Sequence, residues 1–209
     1  MTTKQLFNQL DNIWYHYKPH ILVGIFIVVA LIPLVFSSND QRESALDVAI
    51  MGNVVDEQKQ QNLQSKATSA ILENDSDSEV KLNFWPVTGN LSAPQNHTLN
   101  QKLLTQIATK DIDILIMNME DFLYYAQQGT FLRLDNHNKL SKLLQNKNVR
   151  PVSLKSADEG EEHILGVEIN GNSLFEDAGF VTENKVLGIV SNAEHKETTS
   201  QFVKWLINS

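Results

Sequence analysis

Asp111–Asp135, DIDILIMNMEDFLYYAQQGTFLRLD, decides the fold of this chain. Ile112–Met117 is a mostly apolar run of strand length, and Asn118–Asp121 is a short polar turn. Phe122, Leu123, Tyr125 and Ala126 then recur as the inner face of a helix that Gly129 stops. A strand that feeds a helix through a short polar turn is the βα unit of a parallel sheet, where ligands collect beyond the carboxyl ends of the strands. Asn118 is expected as the helix N-cap. Glu120 and Asp121 point in different directions around a helix and are expected to serve its positive end.

Working outward, the same grammar repeats on both sides. Upstream, Ala45–Met51 reads as a first strand closing at Gly52 and Asn53, and Asp56–Leu72 as a helix with Val55, Leu63, Ala67, Ala70 and Ile71 spaced for one buried face. Val80–Val87 alternates as a strand tipped by Pro86, and Leu99–Thr109 is a short amphipathic helix. Downstream, Asn136–Asn146 reads as a polar helix built on Leu140, Leu143 and Leu144. Val152–Leu154 and His163–Ile169 flank an acidic turn as a hairpin. Ser173–Gly179, Lys185–Val190 and Glu194–Ile207 complete the series as helix, strand and helix. Alternating strands and helices predict an α/β fold, a single lobe with a mostly parallel sheet flanked by helices.

The chemistry-bearing residues are sparse. There is no Gly-rich phosphate loop, no G-x-S-x-G elbow and no H-E-x-x-H, so no enzyme is expected, and neither a cofactor nor a metal. His97, His137, His163 and His195 lack a second ligand three or four residues away and read as surface histidines. The 17 Lys+Arg against 25 Asp+Glu, a net charge of −8, argue against a nucleic-acid partner. Zero cysteines exclude disulfides, thiolate catalysis, Cys-ligated metals and a lipidated N-terminal cysteine. A polar ligand, if bound, would meet the strand-end turns: Gly52 and Asn53, Trp85, Asn118 and Glu120, and Glu168 and Asn170. Trp85 is either an aromatic platform or a side chain packed by the following helix.

Residues 21–36, ILVGIFIVVALIPLVF, carry no charge, and with their borders reach the roughly 17–25 residues that a spanning helix needs. Lys4 and Lys18 precede the run while Asp40, Arg42, Glu43 and Asp47 follow it, and Trp14, Tyr15 and Tyr17 sit where an interfacial aromatic belt would lie. The expected layout is a cytoplasmic amphipathic segment at 1–18, a transmembrane helix at 19–38, a tether at 39–44 and an extracellular α/β domain at 45–209. The competing reading is a cleaved secretory signal with Ser37 and Ser38 behind it; the long aromatic-rich polar region containing Asp11 favours a retained anchor. Localisation follows as single-pass in the cell membrane, N-terminus inside.

The segment Asp111–Asp135, with Leu132-Arg133-Leu134-Asp135 closing it, resembles the extracellular solute-binding proteins of ABC importers, of the periplasmic-binding-protein-like type II. The ending KVLGIVSNAEHKETTSQFVKWLIN, with Phe202–Leu206, is similar to the same family, as is HILGVEINGNSLFEDAGF around Asn172-Ser173. A typical member has two lobes hinged around a ligand. What remains of this chain after the anchor has room for about one lobe of ~100–200 residues. The resemblance implies a non-enzymatic, transport-related domain whose partners are the lipid bilayer, an ABC permease or another membrane protein, and a small solute such as a sugar or peptide. The alternative is an accessory or scaffold subunit that keeps the fold without a ligand. In that case the strand ends are filled by side chains and an apolar patch is exposed elsewhere.

Overall fold

The computed structural model describes residues 17–20, 22–27, 29, 43–72, 77–136, 138–145, 149–155 and 160–208. The chain divides into two units, Met1–Arg42 and Glu43–Ser209. In the first, residues 17–20, 22–27 and 29 are helical. No helix among the described residues is long and apolar enough to cross a membrane. Much of the expected 19–38 span, most of 1–18, residues 39–42 of the tether and His137 lie outside the described residues.

The second unit alternates strand and helix as its periodicity demands. The order is β1 (Glu43–Gly52), α1 (Glu57–Ile71), β2 (Ser78–Pro86), α2 (His97–Ala108), β3 (Ile114–Asn118), α3 (Met119–Gln127), α4 (Asn138–Leu143), β4 (Pro151–Lys155), β5 (Glu162–Glu168), α5 (Ser173–Asp177), β6 (Lys185–Ile189) and α6 (Lys196–Asn208). β1 begins at Glu43, two residues inside the stretch expected as tether. Asp56 starts α1 as its N-cap, its carboxylate accepting the N–H groups of Gln58 and Lys59. Gly129, at φ +73°, ends the α3 turn in the left-handed region that glycine tolerates.

The six strands form one sheet in the order β2-β1-β3-β6-β5-β4. Period-2 alternation sends Leu46, Val48 and Ile50 of β1 to a core shared with α1 and with Phe202, Val203 and Leu206 of α6. Ala49 and Met51 face the opposite core, beneath Leu103 of α2 and Phe122 and Tyr125 of α3. On that face Gly166 and Gly188 lie opposite each other on β5 and β6. A Cβ on either would come within 2.6 Å of Phe122 or Phe131, so the two glycines form a flat floor for that stacked ring pair.

The sheet is mixed, which corrects the expected mostly parallel arrangement. β2, β1 and β3 run parallel, while β6, β5 and β4 pair antiparallel. The chain leaving β5 passes through α5 and the loop that carries Phe180, then re-enters the sheet between β5 and β3 and runs antiparallel to both.

On β2 the outward N–H groups of Val80 and Leu82 donate to Thr68 Oγ1 (3.1 Å) and Gln64 Oε1 (3.2 Å) of α1. Helix side chains thus stand in for the missing strand and blunt that edge.

Candidate functional site

One edge of the sheet gathers the carboxyl ends of β1, β2, β3 and β5 with the amino end of β6. Gly52 is in register with Pro86, Asn118 with Lys185, and Glu168 with Val186. All seven expected contact residues, Gly52, Asn53, Trp85, Asn118, Glu120, Glu168 and Asn170, come from turns, strand ends or, for Glu120, the first turn of α3 on this edge. Glu168 and Asn170 share a groove, whereas Asn53 and Asn118 bond to the protein itself and Trp85 is buried.

The space above the parallel strands is occupied by the protein itself. Phe180, 2% exposed, lies over Gly52 so closely that a Cβ there would sit 2.6 Å from its ring. Phe84 and Phe175 hold that ring at centroid distances of 5.9 and 5.7 Å. Asn53 clips the loop that carries Phe180: its Nδ2 donates to Gly179 O (2.8 Å), and its Oδ1 accepts the Val181 N–H (2.8 Å). Asn53 thus spends its amide on the protein's own backbone.

Beneath Phe180 is a residue that the sequence reading did not single out. Lys185 Nζ, buried at the start of β6, donates to Met51 O and Asn118 Oδ1, both at 2.7 Å, and lies 5.4 Å from the Phe180 ring centroid. One ammonium therefore joins the ends of β1, β3 and β6. Loss of hydration lowers its pKa, partly opposed by the Asp121 carboxylate. Asn118 occupies the N-cap position of α3 with extended backbone, but its side chain makes no capping bond and turns to Lys185 instead. A lysine entering an apolar strand was the available signal, since such a group is buried only with partners.

Glu120 and Asp121 both lie in the first turn of α3, at its positive end as expected. Asp121 has a further role: it is buried, and its Oδ1 accepts the Leu91 N–H at 3.0 Å, tying down the loop after β2. Burial raises its carboxyl pKa, against the lowering effect of that hydrogen bond. Glu120 is exposed. Trp85 is buried on the α2 side of the sheet under Lys102, whose Nζ lies 4.4 Å from the ring centroid, so the packed alternative is the one realised.

Open space lies to the side, above β5 and α5. Glu168 and Asn170 border a groove of about 290 Å³ floored by Val167, Ile169, Leu206 and Ile207. Asn170 Nδ2 donates to Glu168 Oε2 at 2.9 Å, and Arg150 Nη1 lies 3.8 Å from the same oxygen. A second, wider groove of about 540 Å³ shares Asn170 and Gly171 and runs along Gly179–Glu183.

Two histidines expected at the surface are instead paired with carboxylates. His163 is buried with Nδ1 3.1 Å from Asp135 Oδ2. His195 Nδ1 lies 2.9 Å from Oδ2 of Asp113, at the sheet edge opposite the strand ends above. Asp113 is buried and also accepts the N–H groups of Asp47, Glu194 and His195, so it anchors the entry of α6 against β1 and β3. Among the described residues, no group of three or more His, Cys, Asp or Glu side chains is placed to hold a metal.

No protein-family model matches the sequence, and no curated protein matches it. Among solved structures, an extracellular solute-binding protein family 1 from Alicyclobacillus acidocaldarius subsp. acidocaldarius DSM 446 aligns at 19% identity and a TM-score of 0.37. The alignment covers 62% of this chain and 29% of that one, so the chain spans less than a third of that protein's length.

Proposed function

We propose that the folded unit from Glu43 onward is a non-enzymatic accessory domain that binds a protein partner, held by the N-terminal apolar segment at the outer face of a bacterial membrane. The observation that carries this reading is the filled strand-end edge. A solute enclosed over β1 and β3 would have to displace the Phe180 ring, the Asn53 clip and the Lys185 ammonium. Small-molecule sites are instead concave and usually preformed. The likeness of Asp111–Asp135 and the C-terminal segment to importer solute-binding proteins makes a transport complex in that membrane the setting for such a partner.

A second reading, a small polar solute, is favoured by the groove beside Glu168 and Asn170, which lies near the lower limit of ~300 Å³ for ligand pockets. Thermal melting of the chain against sugars, amino acids and short peptides separates the two. The accessory reading expects a flat response, together with stoichiometric co-purification of one membrane protein from its native host. A saturable stabilisation that Glu168→Gln removes would replace it with solute binding at the groove.

A further inference from the structure

The filled edge presents an apolar surface of its own. Val54 and Val181 are 76% and 54% exposed. Asn53 ties their backbones to one side chain, its Nδ2 donating to Val54 O at 3.1 Å while its Oδ1 accepts the Val181 N–H. Single exposed valines are ordinary, but Val181 lines the 540 Å³ groove along Gly179–Glu183, and Asn53 brings Val54 next to it. Five exposed carboxylates lie near in sequence or in the groove: Asp56, which caps α1, and Glu57 follow Val54, while Glu183 and Glu176, the latter accepting from Thr182 Oγ1, line the groove with Val181 and Asp177 adjoins Glu176. Against these five stand exposed Lys59, whose Nζ would lie 3.6 Å from a Cβ on Gly179, and Lys185, which is buried beneath.

We propose that the Val54–Val181 pair and the adjoining groove dock a segment of a partner protein in which lysines or arginines flank an aliphatic side chain. The valines supply a desolvated centre, and the acidic rim selects a cationic surround and steers its approach. The same rim disfavours the other occupants. An anionic leaflet would be repelled, and a second copy meeting this surface face to face would bring like charges together, as a two-fold interface requires. The assignment rests on the accessory reading above and names the surface through which it would act.

The test uses the full chain in nonionic detergent with isotope-labelled valine methyls, titrated with the capped peptide Lys-Val-Leu-Lys-Val and with its counterpart Glu-Val-Leu-Glu-Val. The cationic peptide should shift the Val54 and Val181 methyl resonances saturably, and raising NaCl from about 50 to 300 mM should weaken binding roughly threefold or more. The paired variant Val54→Ser/Val181→Ser, and separately Glu176→Gln/Glu183→Gln, should lose saturation, whereas Tyr124→Ser on α3 should leave it unchanged. Equal shifts from both peptides, or none at millimolar cationic peptide, would overturn the assignment. A solute that stabilises the domain refutes the accessory reading beneath it; a flat solute screen with unmoved methyls refutes this surface alone.

Discussion

Gly52 and Phe180 should be energetically coupled across the filled strand ends. A methyl at position 52 would sit 2.6 Å from Phe180 Cε2 and 3.0 Å from both Phe180 Cζ and Lys185 Nζ, well inside ordinary contact distance. Phe180 cannot swing aside freely, because Phe84 and Phe175 pack against its ring. Gly52→Ala should therefore cost about 1–3 kcal/mol through overpacking. Phe180→Ala should cost about 3–5 kcal/mol, the usual loss for a buried phenylalanine. In the double variant the added methyl enters space that the ring has vacated, and only its 3.0 Å approach to Lys185 Nζ remains. Gly52→Ala should then cost clearly less than in the wild type, and the difference is the coupling between the two positions, on the order of 1–2 kcal/mol. Urea unfolding of the full chain in mild detergent, followed by tryptophan fluorescence, measures all four corners of the cycle. Equal costs of Gly52→Ala in both backgrounds would refute the placement of Phe180 over the end of β1.

Three further outcomes follow from the hydrogen-bonding and charge of the same unit. Burial raises the Asp121 pKa above 3.8, so between 3.8 and the raised value the folded state binds the proton more tightly than the unfolded chain. That contribution grows as pH falls through the window, is complete below 3.8, and is absent above the raised pKa. Asp121→Asn keeps an oxygen for the Leu91 N–H but binds no proton, so the difference in urea midpoint should move toward the wild type as pH falls; a pH-independent difference would contradict it. Thr68→Val and Gln64→Leu should each cost about 1 kcal/mol and speed amide exchange at Val80 and Leu82, since each removes the acceptor of an outward strand N–H. Unchanged exchange there would mean that α1 does not protect the edge. Asp113→Asn should cost about 2–3 kcal/mol in chemical unfolding, because an amide cannot accept from all four donors that the carboxylate serves. A neutral substitution would show that α6 is anchored some other way.

The sequence by itself determined the order of strands and helices, the buried core positions of most of them, and the sheet edge from which the candidate residues come; in α2 only Leu103 is buried, while Leu104 is exposed. These are local properties. Alternation in Ala45–Met51, helical spacing in Asp56–Leu72 and the turn at Asn118 are read from neighbours a few residues away. Only the tertiary structure decided that β6 runs antiparallel, because a strand's direction in the sheet is set by its pairing with β3 and β5 and not by its own local pattern. It also decided what fills the strand ends. Asn53 meets Val181 across 128 residues, Lys185 meets Met51 across 134, and His195 meets Asp113 across 82. No local pattern encodes such pairings. Asn53 and Asn118, which looked free to meet a ligand, are engaged by the chain's own backbone and lysine, because polar groups brought inside must find partners there once they have lost water.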